Sequence, residues 1–495
     1  MTLDQATINA LASAPVSPGR LLIGGDWCAG QDAPMSVESP IDGQVLTTVE
    51  SASRTDVGRA CAVARAAFED GRWSRQAPAE RKRVLLRLSE LIEREALALA
   101  VLGVRDNGTE ISMAIKAEPG SAAATFRFYA EAIDKLYGEI APTPENVLAL
   151  VQREAVGVVG AIVPWNFPLM IGAWKLAPAL ALGNSVVLKP AETASLALLR
   201  LGELALEAGL PPGVLNIVTG PGAITGAALA HDMTVDVLVF TGSGATGRRL
   251  LQASAASNLK RCYLELGGKS PNIVFADAPD LAGAAKAAAT AIFRNAGQVC
   301  VAGARLLVQD SIADDFTAEL ARAAEAMPPG NPLELQTRIG AINSAQQLQG
   351  NLGFVTDALA EGAALVTGGA RVLAETGGYF MEPTVLSGVE PHHRLFRAEV
   401  FGPVLAVTRF KDEAEAQHLA NATDYGLAAG VWTANLSRAH RMVRVIKAGV
   451  VHVNTYGGAD VTVPLAGARQ SGNGADKSLH AMEKYSDLKT AWIQL

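Results

Sequence analysis

Short apolar segments, regularly separated by helix-length stretches, constrain this chain more than any other feature. They fall at residues 157–163, 185–188, 214–218, 235–240, 262–266 and 272–275. Most of the gaps hold a stretch with helical periodicity, such as 196–208 or 246–256. Strands that are apolar on both faces need cover on both faces, which crossover helices supply, so the rhythm predicts a parallel α/β sheet. A second rhythm follows at 304–308, 364–367, 404–410, 428–433 and 450–454. With 495 residues the chain is too long for one hydrophobic core, and two α/β domains are expected.

The flanks read differently. Residues 21–50 hold short apolar pieces broken by Gly24-Gly25 and by Ser39-Pro40-Ile41-Asp42-Gly43, which predicts hairpins. From Thr55 to Lys135 the pattern is helical: Arg83, Arg87, Glu90, Glu93 and Arg94 alternate with Val84, Leu85, Leu88, Leu91 and Ile92. Residues 136–156 read as a protruding hairpin suited to a subunit contact. The extended tail at 485–495 is expected to add to a sheet elsewhere, such as the same hairpin of a neighbouring copy.

Net charge is −7 with no long basic run, which argues against nucleic acid or an anionic membrane surface as partner. The apolar run 96–104 is too short to cross a bilayer, and the N-terminus shows no signal-peptide pattern. Cys28, Cys61, Cys262 and Cys300 form no CxxC, and the seven histidines no HExxH. No protein-held metal is expected, and a reducing, cytoplasmic setting fits.

Chemistry concentrates in a few places. In Asn295-Ala296-Gly297-Gln298-Val299-Cys300-Val301-Ala302-Gly303, one thiol lies between two glycines and is walled by Val299 and Val301. It is either inert packing or a nucleophile. Pro164-Trp165-Asn166-Phe167-Pro168 fixes a turn between two prolines; Asn166 is a plain turn residue or an aimed amide donor for an oxyanion. In Lys189-Pro190-Ala191-Glu192 the glutamate complements a helix start or accepts the two hydroxyls of a ribose. Gly242-Ser243-Gly244-Ala245-Thr246-Gly247 satisfies G-x-G-x-x-G after a strand. Taken literally, that fingerprint makes Glu265, about twenty residues on, the ribose ligand. Glu265 itself, in Leu264-Glu265-Leu266-Gly267-Gly268-Lys269, reads as a salt-bridge partner of Lys269 or as a carboxylate tuned for general-base work. Glu399-Val400-Phe401-Gly402-Pro403 opens another strand.

Together these motifs resemble the aldehyde dehydrogenase family, over residues 21–495. The resemblance implies an aldehyde dehydrogenase-like fold, two parallel-sheet α/β domains plus a small oligomerisation hairpin. It assigns 1–135 and 155–265 to an NAD-binding domain, 266–470 to a catalytic domain, and 136–154 and 478–495 to oligomerisation, as a homotetramer or homodimer. It implies Asn166 as oxyanion donor, Glu265 as base and Cys300 as nucleophile. NAD would be held by Ile162, Trp165, Lys189, Glu192, Phe240, Gly242, Ser243, Gly247, Glu399 and Phe401. That places the ribose on Glu192, makes Gly244 incidental and leaves Glu265 for catalysis.

The implied reaction is NAD-dependent oxidation of an aldehyde to its acid through a thioester. A polyamine-derived aminoaldehyde such as γ-glutamyl-γ-aminobutyraldehyde is the expected substrate. Glu118 and Asp460 are read as acids at a tunnel mouth, where they are either solvated surface groups or attract a cationic tail. Trp174 and Tyr456 offer it faces, and Met170, Val299 and Val301 lie alongside. Aliphatic or betaine aldehydes, and a coenzyme A-acylating relative, are the alternatives. Two departures from the family pattern, Pro464-Leu465-Ala466-Gly467 and Gly474-Ala475-Asp476, are expected to leave the reaction centre untouched.

Overall fold

The computed structural model describes residues 4–458 and 460–495. Its two main sheets have seven strands each. The first runs Arg261–Glu265, Val237–Thr241, Val158–Ile162, Ser185–Lys189, Leu215–Ile217, Leu21–Ile23, Asp26–Cys28. Its first five strands are parallel. The predicted opening hairpin closes the edge antiparallel, with Leu22 opposite Ile217. The second sheet runs Ala364–Thr367, Thr384–Ser387, Val404–Phe410, Arg305–Gln309, Pro271–Val274, Ala428–Trp432, Val450–Val453. It is parallel except where Ala364–Thr367 meets Thr384–Ser387. Thr384–Ser387 was absent from the sequence expectation because four residues between turns carry almost no periodicity.

Burial explains the apolar runs. Every residue of Val158–Ile162, Ser185–Lys189 and Ala428–Trp432 is buried, as strands covered by helices on both faces must be. The predicted helices form at Leu196–Glu207 and Gly244–Ala255, and the helical region at 55–135 holds Arg54–Glu69, Pro78–Arg94, Ala96–Asn107 and Ser121–Ala132. Among the described residues no helix is long and apolar enough to cross a membrane.

Chain order in the first sheet sets the location of the site. From Val158–Ile162 the chain moves outward through Ser185–Lys189 to Leu215–Ile217, then returns to the other side at Val237–Thr241. The strand ends at Ile162 and Thr241 therefore flank a switch point, the crevice in which open α/β sheets bind ligands.

The C-terminal strand departs from expectation. Ser486–Gln494 pairs in full with Val147–Ala155 of its own chain, from Ser486 opposite Ala155 to Gln494 opposite Val147. With Glu139–Ala141 this makes a separate three-stranded sheet. The hairpin and the tail meet within one chain over nine consecutive residues, so no neighbour is needed to complete the pairing.

Candidate active site

The loop carrying Cys300 leaves the helix Leu281–Phe293 through a tight kink. Asn295 (φ 49°), Ala296 (φ 50°) and Gly297 (φ 72°) are left-handed in succession, which is costly for the two non-glycines. Only glycine fits at the third place, since a Cβ there would lie 2.1 Å from Gly402 O. Side chains hold the kink. Asn295 N donates to Glu110 Oε1 (3.0 Å), and Thr109 Oγ1 donates to Asn295 Oδ1 (2.8 Å). Gln298 donates to Asn295 O and Ala341 O and accepts from Asn343 N. None of Thr109, Glu110, Asn295 or Gln298 was singled out in the sequence as a positioning residue; their partners are too distant in the chain for spacing to reveal them.

Cys300 opens into a cavity of about 200 Å³ that it shares with Asn166, Glu265, Trp165, Thr241, Gly242, Ser243, Gly267, Glu399 and Phe401. The three residues expected to carry the chemistry are thus brought together. Asn166 Nδ2 donates one hydrogen bond to Gln298 O (2.8 Å), which fixes the amide. An amide nitrogen has two hydrogens, so a second remains for a group in the cavity.

Burial dominates the electrostatics. It pushes the Cys300 thiol up to about 12, helped by the charges of Glu399 and Glu265. Glu265 is 5% exposed, and neither carboxyl oxygen has a hydrogen-bond partner among the described residues. Burial, then the negative charge of Asp476, lifts its pKa well above the ordinary glutamate value, against the pull of Lys175 and Lys484. Glu399 is raised to about 7 by burial, with Gly268 N–H (2.9 Å) and Lys269 opposing. Lys269 forms no salt bridge with Glu265; its buried Nζ has no partner among the described residues and feels Glu399 instead.

Behind Glu265 lies a buried ionic cluster that corrects one expectation. Asp476 accepts from Lys175 Nζ (2.5 Å) and Lys484 Nζ (2.6 Å), all three nearly inaccessible. The two departing segments pair with each other, Leu465 opposite Asp476, and Gly472 bridges to Glu265 itself. Far from leaving the reaction centre untouched, the segment adds Asp476 to the burial that raises Glu265, with Lys175 and Lys484 opposing.

A second cavity, about 670 Å³, is lined by Ile162, Glu192, Gly222, Gly226, Thr246, Arg249 and Leu250 among others. It and the first cavity flank the start of the helix Gly244–Ala255, where Ser243 is the N-cap. Glu192 lies 3.3 Å from Lys189 Nζ and accepts from Gly222 N–H. Glu192 and Glu265 therefore line different cavities. Phe240 and Gly247 pack rather than line: Phe240 lies under Gly242, and a Cβ on Gly247 would come 2.9 Å from Leu266. Trp165 and Phe401 meet edge to face at 5.3 Å in the first cavity. Glu399 lies flush against Gly267, where a Cβ would come 1.9 Å from its carboxylate.

The substrate-side expectations need correction. Glu118 is not at a mouth; it is 4% exposed, and Oε2 accepts from Met170 N (2.7 Å) in the first turn of the helix Pro168–Ala181. A carboxyl at a helix N-terminus satisfies unpaired donors there, which accounts for its burial. Asp460 is exposed and engages its own loop through Thr462 N (2.8 Å). The face of Trp174 is covered by Lys477 Nζ at 5.7 Å. Tyr456 donates to Val301 O (2.9 Å), and its ring packs on Gly303 and Gly430. Val299 is core, with Val301 and Met170 packed at its margin.

The chain is similar to known proteins along nearly its whole length. The model of the aldehyde dehydrogenase family matches residues 27–491. The NADP/NAD-dependent aldehyde dehydrogenase PuuC of Escherichia coli is 49% identical over 477 residues, 96% of each chain. A γ-glutamyl-γ-aminobutyraldehyde dehydrogenase from Burkholderia cenocepacia superposes with a TM-score of 0.97 at 48% identity, covering both chains entirely. An indole-3-acetaldehyde dehydrogenase crystallised with NAD+ superposes with a TM-score of 0.98 at 49% identity, again over the whole of both chains.

Proposed function

The chain belongs to the aldehyde dehydrogenase family, and from that premise we propose that it oxidises an amine-derived aldehyde to its carboxylic acid with NAD as acceptor. The γ-glutamyl-γ-aminobutyraldehyde class is the substrate favoured by the likeness to the Burkholderia cenocepacia enzyme. The single observation that carries the reading is the shared cavity of Cys300, Glu265 and Asn166 beside Trp165, Gly242, Glu399 and Phe401.

The residues present fit NAD. In the larger cavity Gly222 and Gly226 leave the backbone bare around Glu192 and Lys189, space that a Cβ would narrow to 3.4 Å from the carboxylate. Glu192 would take the adenosine ribose and disfavour a 2′-phosphate, giving preference for NAD over NADP. Gly242 and Ser243 would face the phosphates, and Glu399 with Phe401 would hold the nicotinamide end. When bound, NAD supplies the hydride acceptor.

The chain's own groups do the rest. A thiol raised to about 12 is protonated at neutral pH, so its proton must pass to solvent at the open side of the cavity as sulfur attacks the carbonyl carbon and the carbonyl π pair moves to oxygen. Asn166 holds the oxyanion; one such donor contributes roughly 3–4 kcal/mol in a transition state. After oxidation a thioester joins the acyl group to Cys300. Glu265, in its ionised form and with no hydrogen-bond partner among the described residues, then takes a proton from the attacking water; the C–S bond breaks and the acid is released.

This reading divides the chain into a cofactor domain (1–135 and 155–265), a catalytic domain (266–470) and oligomerisation segments (136–154 and 478–495). A homotetramer or homodimer and a cytoplasmic setting go with it; four unpaired thiols suit a reducing compartment. The test is NADH absorbance with γ-glutamyl-γ-aminobutyraldehyde against aliphatic and betaine aldehydes, with NAD and NADP compared. Acid formation led by the first aldehyde is expected. No NADH from any aldehyde would end the proposal.

A further inference from the structure

With Glu118 turned inward, two cations, Arg294 and Lys477, stand on the Tyr456 side of the nucleophile's loop. Tyr456 donates to the carbonyl of Val301, the residue after Cys300. The next residue, Gly457, has φ +89°, and a Cβ there would lie 3.5 Å from one Arg294 guanidinium nitrogen and 3.7 Å from the other. The missing side chain leaves the guanidinium room. Arg294 is half-buried, its Nε is shut off from solvent without a partner, and it forms no ion pair among the described residues.

Glu110, the carboxyl within its field, is raised by its own burial, with Arg294 acting only as a weak counter-pull. It therefore does little to neutralise the arginine.

A second cation reaches the loop of Gly457 from a later segment. Lys477 is 4% exposed, donates to Asp460 O at 3.0 Å and caps the face of Trp174 at 5.7 Å. The Asp460 carboxylate is exposed and offsets it in part. His452 lies against Tyr456, ring centroids 5.5 Å apart. Burial first, then Arg294 and Lys477, push its imidazole down, so it adds no third charge. Gly457 against Arg294 and Asp460 under Lys477 belong to one short stretch of chain.

We infer that Arg294, supported by Lys477, recognises an anion, and that the preferred aldehyde carries a carboxylate at the end distal to its carbonyl. The inference deepens the proposed function and rests on it. A γ-glutamyl head carries such a carboxylate, whereas a simple ω-aminoaldehyde presents only an ammonium, which two cations repel. A charged hydrogen bond of this kind contributes enough for roughly 10- to 100-fold in affinity.

The test uses the full-length enzyme with NAD and three aldehydes of similar length: 5-oxopentanoate, hexanal and 4-(trimethylammonio)butanal. The expected kcat/KM is highest for 5-oxopentanoate, roughly 10-fold or more above hexanal. Arg294→Leu should collapse that ratio towards one by raising KM for the anionic aldehyde, and Arg294→Lys should restore part of it. Lys477→Met should lower the ratio by a smaller factor. Preference for the cationic aldehyde, or a ratio that Arg294→Leu leaves unchanged, overturns the inference while the proposed function stands. Absence of NADH from all three aldehydes overturns both.

Discussion

Glu265 combines two properties that rarely coexist: a carboxyl without hydrogen-bond partners and an address inside the protein. Ionising it there costs free energy, and that cost makes it a base worth having near neutral pH. Glu265→Gln should release about one NADH per active site and then stall at the thioester, with steady turnover down roughly 10²- to 10⁴-fold. A stopped-flow trace reads both phases; undiminished steady turnover would remove Glu265 from its role. Because its pKa stands above the ordinary value, the acid limb of kcat should lie well above the usual glutamate range.

Glu118 has the same electrostatics without the chemistry. Its folded pKa of about 8 exceeds the ordinary glutamate value of 4.5, so the folded state holds the proton more tightly. Stability from this group is full below the unfolded value and lost as pH rises towards 8. Gln keeps the acceptor for Met170 N and cannot ionise. Glu118→Gln should therefore gain thermal stability over the parent as pH climbs from 5 to 8 and hold the gain above it, by at most roughly 3–5 kcal/mol. A gain that does not vary with pH would refute the assignment.

At the scale of elements, the helix Pro168–Ala181 carries Met170 at its start, capped by Glu118, and Lys175 further on, which reaches Asp476. Through Lys175 and Asp476 it ties the Glu265 neighbourhood to the C-terminal segment. Removing the shared carboxylate leaves two buried ammonium groups facing each other. Asp476→Ala should cost roughly 3–5 kcal/mol. It should also move the acid limb of kcat to lower pH, because Glu265 loses a negative neighbour and keeps two positive ones. A purely structural role for Asp476 would leave that limb in place.

What could be read in the sequence divides along the same line. Strands buried on both faces announce themselves as apolar runs, and Asn166, Glu265 and Cys300 each follow one or sit in a glycine-bracketed loop. The Lys175–Asp476 pair joins residues 301 apart in the chain, and no local spacing encodes such a contact. Arg294 was passed over for the same reason: its meaning comes from Gly457, across the fold.

For the whole molecule, the three-stranded sheet is the part with least to do inside one chain. Its outer strands, Glu139–Ala141 and Ser486–Gln494, each leave one edge unpaired, and edges of that kind invite another strand. Ile140, Leu488 and Trp492 stand 75%, 62% and 64% exposed on it, too much apolar surface to leave wet. The tail already pairs within the chain, so a partner copy would add to an open edge or cover the exposed face rather than complete the tail's own pairing. Association and chemistry are then separable, because no residue of the three-stranded sheet lines either cavity. Trp492→Glu places a charge in the middle of that surface without touching the backbone pairing opposite Ala149. Sedimentation velocity should show the assembly shifted to a smaller species, while NADH formation per chain persists within a few-fold. An unchanged sedimentation coefficient would place the contact elsewhere on the molecule.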